Sequence, residues 1–188
     1  STETFTLTAA LPLSSNGSAI GTARIADNDA PPQLDLDGND SSGAAGTAYQ
    51  TSYVENGSPV AVADIDLRLT DVDSSQLTRA TITLTNAQAG DVLSVQGALP
   101  AGLSVAIVGN VVTLTGAASL ATYEQAIRSI GFSNTTDTPS TVARTVAIQV
   151  FDGTIASNVA ISTIAVSAVN DAPVVANATA AVSEEGLP

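Results

Sequence analysis

The stretch Val105-Ala106-Ile107-Val108-Gly109-Asn110-Val111-Val112-Thr113-Leu114 reads as two β-strands joined by a two-residue turn. β-Branched residues suit a pleated surface, and Gly-Asn admits the positive φ that a tight hairpin turn requires. The same period of two recurs at 5–7, 64–69, 80–85, 111–115, 145–151 and 159–166, where Val, Ile, Thr and Leu alternate with small polar residues. Gly-Ser, Asn-Gly and Asp-Gly pairs punctuate the intervals. Many short strands at near-even spacing predict an all-β sandwich with Greek-key connections.

One segment departs from that period. Leu120, Tyr123, Ala126, Ile127 and Ile130 fall at helical spacing, with Ser119 placed as an N-cap and Gly131 as the stop. The spacing predicts a short amphipathic helix whose apolar stripe covers an open end or face of the sandwich.

Charge sets the function classes aside in turn. The chain has 188 residues and a net charge of −13, from 18 acids against five arginines, with neither Lys nor His. Such a surface repels nucleic acid and anionic membrane and attracts cations. Asp outnumbers Glu by 13 to 5, and many of the aspartates stand in D-x-D pairs or beside Gly, at the ends of expected strands. There is no Cys, hence no disulfide framework and no thiol nucleophile. Catalysis would fall to carboxylates and hydroxyls alone, and with no Trp there is little surface on which a sugar could stack. An enzyme is not expected. No apolar run approaches the length of a membrane span.

A short motif occurs twice. Asn28-Asp29-Ala30-Pro31 and Asn170-Asp171-Ala172-Pro173 each join one β-rich stretch to the next, and Glu55 and Glu184 follow them. Gly57 and Pro59 after Glu55 match Gly186 and Pro188 after Glu184, so the two openings repeat. Three parts are expected: residues 1–29 as the closing strands of one domain, 30–172 as a complete domain, and 173–188 as the first strand of another. The interval from Pro31 to Glu55 is longer than that from Pro173 to Glu184, and the excess falls in the Gly/Ala/Ser-rich segment 38–48, which reads as an inserted loop.

Strand geometry sorts the acids by end. Eleven extended residues span about 36 Å, the length of a sandwich, so a strand leaving one linker delivers its Glu to the opposite end. Glu55 is therefore expected beside Asn170 and Asp171. The returning strand carries Asp71 and Asp73 to the first linker, where Asn28 and Asp29 stand, and the turn at Asp152 reaches the same end. Carboxylates gathered this closely repel one another unless a cation lies among them. An all-oxygen donor set suits Ca2+, whereas zinc would want the His and Cys that this chain lacks. The alternative is a set of ordinary Asp turns closed by local hydrogen bonds. Asp35 with Asp37, and Asp64 with Asp66, are two further same-face pairs at which an additional ion is conceivable. The run Asp35-Leu36-Asp37-Gly38-Asn39-Asp40 has Gly46 where an EF-hand would need Glu.

Together these residues resemble the calcium apparatus of the cadherin family. Its linker pattern D-x-N-D-x is met by Asn28-Asp29-Ala30 and Asn170-Asp171-Ala172, with Ala26 and Ala168 in place of the first Asp. Its D-x-D is met by Asp71-Val72-Asp73, its basal Glu by Glu55 and its late Asp by Asp152. The segment 120–153, with Y-E-Q-A-I-R-S-I-G-F-S-N-T-T-D-T-P-S and V-F-D-G, is similar to the cadherin-like repeats of giant bacterial surface adhesins of the repeats-in-toxin type. Residues 1–29, with E-T-F-T-L-T-A and A-I-G-T-A-R-I-A-D-N-D, resemble the last two strands of a Calx-beta domain. The resemblance implies an immunoglobulin/cadherin-like sandwich in a tandem array, at the bacterial cell surface, whose partners are the neighbouring repeats of the same chain. It implies a non-catalytic stalk stiffened by Ca2+ at Asn28, Asp29, Glu55, Asp71, Asp73, Asp152, Asn170 and Asp171.

Two rival functions share this scaffold. One is a ligand-binding adhesin module for a glycan or a host protein. The other is a filament subunit that exchanges strands between copies, since residues 1–29 and 173–188 read as strands with exposed edges.

Overall fold

The structure is a computed structural model and describes residues 29–171. The expected Calx-beta-like strands, Asn28 and the opening of the following domain lie outside the described residues.

Among the described residues eleven strands form three sheets, with one helix beside them. The largest has six strands in the order β2 (Tyr49–Val54), β11 (Ala160–Ser167), β10 (Arg144–Phe151), β5 (Gln76–Leu84), β8 (Val111–Ser119) and β7 (Ser104–Val108). A three-stranded sheet runs β3 (Val60–Ala61), β9 (Ile130–Asn134), β6 (Asp91–Val95), and a two-stranded ribbon pairs β1 (Gln33–Asp35) with β4 (Arg68–Thr70). Among the described residues all pairings are antiparallel except β2 on β11, so β2 and β11 finish at the same end of the sheet.

Alternation drives burial. In β10, Arg144, Val146, Ile148 and Val150 point inward and their neighbours do not; in β11 the inward set is Ala160, Ser162, Ile164 and Val166. One apolar core joins the apolar residues of these two sets to Ile82, Leu114 and Phe132. Tyr53 stands edge-on to Phe132 there, with ring centroids 5.5 Å apart. The sheets thus pack as a sandwich, as the alternation predicts. The 105–114 hairpin forms as β7 and β8 with Gly109 at φ 56°, but every residue of β7 is exposed.

The helix α1 spans Leu120–Arg128 with Ser119 as its N-cap, whose side chain accepts from the Thr122 amide. Tyr123, Ala126 and Ile127 are its buried face, and Glu124 Oε1 accepts the Leu69 amide at 2.8 Å, tying helix to β4. It stops earlier than its spacing suggests. Ser129 caps it, and Ile130 and Gly131 open β9, because Ile130 is buried in the core from the sheet side. The expected strand at 64–69 also shortens to β4. Residues 64–67 turn instead, closed by the Leu67 amide on the Asp64 carbonyl. Residues 36–48 form the expected loop between β1 and β2. Among the described residues no helix is long and apolar enough to cross a membrane.

Candidate metal centre

The end of β2 is anchored from three sides. The Glu55 amide extends the β2–β11 ladder onto the Ser167 carbonyl, at 2.9 Å. The chain then turns sharply, with Asn56 at φ 59° and the Gly57 amide on the Val54 carbonyl. Two residues earlier, the buried Tyr53 hydroxyl donates to the Asn134 carbonyl at the end of β9, at 3.0 Å. That bond brings the β9–β10 loop beside Glu55.

The same loop is braced at both ends by Asp91. Arg144 donates Nε to Asp91 Oδ2 at 2.6 Å and Nη2 to Oδ1 at 3.2 Å, and both side chains are fully buried. Asn134 Nδ2 donates to the other face of Asp91 Oδ1 at 2.8 Å, while its own Oδ1 accepts the Thr136 amide. The Gln88 amide adds a further bond to Asp91 Oδ2, and Arg144 Nη1 reaches the Val142 carbonyl. Gly90 has φ +78° and meets the loop so closely that a Cβ there would lie 2.5 Å from the Thr136 methyl. A buried arginine on an acid is worth keeping only when its bonds are complete, and here they are. Sequence reasoning left Asp91, Asn134 and Arg144 unassigned. The available signal was Arg144 at an inward register position of β10.

Held this way, Asp137 joins Glu55 and Asp171. One carboxylate oxygen from each lies within 4.8 Å of the others, an arrangement that could hold a metal ion. Glu55 is 4% exposed; its Oε2 accepts the Val169 amide at 2.7 Å, and its Oε1 is buried with no hydrogen-bond partner. An orphaned buried carboxylate oxygen on a residue clustered with two more acids fits a hard cation, and the donors are all oxygen. Glu55 and Asp171 therefore meet at one end as expected, though by way of β1, the 36–48 loop and β2 and not by one extended strand. Asn170 is exposed beside them, and Asp137 is the member that spacing missed.

The opposite end is more loosely gathered. Asp73 Oδ2 accepts the Ala30 amide at 2.7 Å, so Asp73 does stand at the first linker. That amide, first among several donors, holds the Asp73 carboxyl below the usual carboxylate range. Asp71 Oδ1 accepts the amides of Asp73 and Ser74, and its Oδ2 is buried without a partner. Asp152 Oδ1 closes its own turn by accepting from Thr154 and Ile155, at 2.6 and 2.7 Å. Among the described residues Asp29, Asp71, Asp73 and Asp152 do not form a three-carboxylate group as tight as the Glu55 cluster. Asp71 and Asp152 are held by backbone donors of their own turns and Asp73 by the Ala30 amide, and Asn28 lies outside the described residues.

A second tight group lies elsewhere, at Asp37, Asp64 and Asp66. Of the four buried side-chain atoms without a partner among the described residues, three are carboxylate oxygens: Glu55 Oε1, Asp66 Oδ1 and Asp71 Oδ2. The acids thus carry most of the unsatisfied buried polarity, as cation ligands would.

No family model, curated protein or solved structure matches this chain.

Proposed function

We propose that this chain is a calcium-stiffened, non-catalytic extender module from the stalk of a large bacterial surface adhesin, with an immunoglobulin/cadherin-like Greek-key sandwich repeated in tandem. The observation that carries the reading is the Glu55 cluster. One oxygen of Glu55 grips the backbone of the exit segment at Val169, the other is buried without a partner, and one carboxylate oxygen of Glu55 lies within 4.8 Å of those of Asp137 and Asp171. A cation on these three acids would join the end of β2, the β9–β10 loop and the segment leaving β11, and so restrain the direction in which the chain departs. Asp73 grips the entering segment at Ala30 in a comparable way. Calcium supplies the charge that offsets three mutually repelling carboxylates, and millimolar extracellular calcium fills sites with Kd around 10⁻⁴–10⁻³ M.

Thermal melting of the 188-residue chain tests this, in millimolar calcium and again in excess chelator. Each site filled at ten times its Kd adds about 1.4 kcal/mol of stability. The expected rise of several degrees should shrink in Glu55→Gln. A melting temperature indifferent to calcium would sink the reading. A ligand-binding module or a strand-exchanging filament subunit would then lead, the latter favoured by the exposed edge strand β7.

A further inference from the structure

Asp37 stands two residues beyond β1 and is only 1% exposed. Its Oδ1 accepts the Ser41 amide at 3.0 Å and its Oδ2 the Ser42 amide at 2.8 Å, so the carboxylate organises the start of the 36–48 loop. Asp64 and Asp66 lie on the turn between β3 and β4. The Asp64 amide donates to the Leu36 carbonyl at 2.9 Å, which sets the two segments side by side, and the Asp66 amide donates to Asp64 Oδ1 at 3.3 Å. Gly38 permits the approach, since a Cβ there would stand 3.0 Å from the Asp66 carbonyl oxygen.

The result is three carboxylates with one oxygen each within 4.8 Å of the others. Between described residues the only ion pair is Arg144 with Asp91; Arg68, two residues beyond Asp66, and Arg128, which donates to the Ile65 carbonyl, make no ion pair with these acids. Independent of the clustering, Asp66 Oδ1 is buried and has no hydrogen-bond partner. A buried carboxylate oxygen so placed carries the full penalty of lost hydration, unless something the hydrogen bonds do not supply sits against it.

We propose that Asp37, Asp64 and Asp66 form a calcium site inside the domain, separate from the linkers, which clamps the 36–48 loop onto the β3–β4 turn. Its work differs from that of the Glu55 cluster. It closes a long loop within one domain, whereas Glu55 restrains the chain's exit. Oxygen donors from two segments around a nearly buried floor suit Ca2+, while Mg2+ demands a tighter octahedron and retains more of its water.

The test is calorimetric titration of the chelator-stripped 188-residue chain with calcium chloride, run on the parent, on Asp64→Asn/Asp66→Asn and on Glu55→Gln/Asp137→Asn. The first pair of substitutions should remove one equivalent of bound calcium and leave the Glu55-dependent binding in place; the second pair should do the converse. Unchanged stoichiometry and affinity in Asp64→Asn/Asp66→Asn would overturn the site, whatever becomes of the Glu55 cluster. Magnesium binding the same equivalent as tightly would overturn its assignment to calcium. Amide hydrogen exchange supplies a reading that needs no variant at this site. In Glu55→Gln, calcium should still slow exchange across 36–48 by on the order of tenfold. Exchange there that ignores calcium would overturn the proposal even if the aspartate variants failed to fold.

Discussion

The Tyr53 hydroxyl donates to the Asn134 carbonyl across 3.0 Å, and this single bond sets the last residues of β2 against the last residue of β9. Glu55 and Asp137 stand two and three residues beyond the bonded pair, so their meeting follows from it. Tyr53→Phe keeps the ring against Phe132 and removes only the hydroxyl. We expect a loss of about 1–2 kcal/mol in calcium-free denaturant unfolding, because a buried carbonyl loses its donor. Calcium affinity should fall as well. A variant as stable as the parent would show the bond to be dispensable.

Asp137 was invisible to strand spacing and is the sharper probe of the Glu55 cluster. Asp137→Asn retains size and hydrogen bonding on an exposed loop while removing one ligand charge. Calcium affinity at that site should drop on the order of tenfold, with chelated stability nearly unchanged. Equal affinity in titration calorimetry would remove Asp137 from the ligand set.

The buried Arg144–Asp91 pair predicts a large and non-additive response. Arg144→Met strands a buried carboxylate and should cost about 3–5 kcal/mol. Adding Asp91→Leu removes the stranded charge, so the double variant should lose clearly less than the two single losses combined. Urea unfolding of all four proteins measures the coupling. Strict additivity would mean that the pair does not act as a unit.

Alkaline stability should depend on Tyr123. Its side chain is buried and donates to the Gly116 carbonyl, and burial pushes its pKa up from 10.0 to about 12. The folded state therefore holds this proton more tightly than the unfolded chain does. The stabilisation is complete below pH 10 and is lost as pH rises through about 12. Unfolding free energy measured across that window should decline more steeply for the parent than for Tyr123→Phe. Parallel declines would contradict the shift.

β7 ends the six-stranded sheet with Val105, Ile107 and Val108 exposed and its outer edge unpaired among the described residues. Such an edge invites pairing between copies, and a charge on it discourages that. Sedimentation velocity should show concentration-dependent association that Ile107→Lys suppresses, with stability changed by no more than about 0.5 kcal/mol. A parent chain that stays monomeric at every concentration would refute the association.

Much of this molecule was legible in one dimension. The period of two named β5, β8, β10 and β11; Gly109-Asn110 named the hairpin; Ser119 and the stripe through Tyr123 and Ile127 named the helix. Sorting the acids by end placed Glu55 with Asp171 and Asp73 at Ala30, although the 36–48 loop and the 64–67 turn interrupt the extended paths that the sorting assumed. Lateral neighbours follow from no such sorting. Asp137 reaches Glu55 only through the Tyr53–Asn134 bond, and Asp37 reaches Asp64 only because the Leu36 carbonyl takes the Asp64 amide. Nor does arrival at the same end decide where a carboxylate points. Asp152 accepts the amides of its own turn and stays out of any tight three-acid group, although sequence placed it with Asp71 and Asp73. Spacing along a strand sets the end a residue reaches; loop paths and competing backbone donors, which exist only in the folded chain, decide what it touches there.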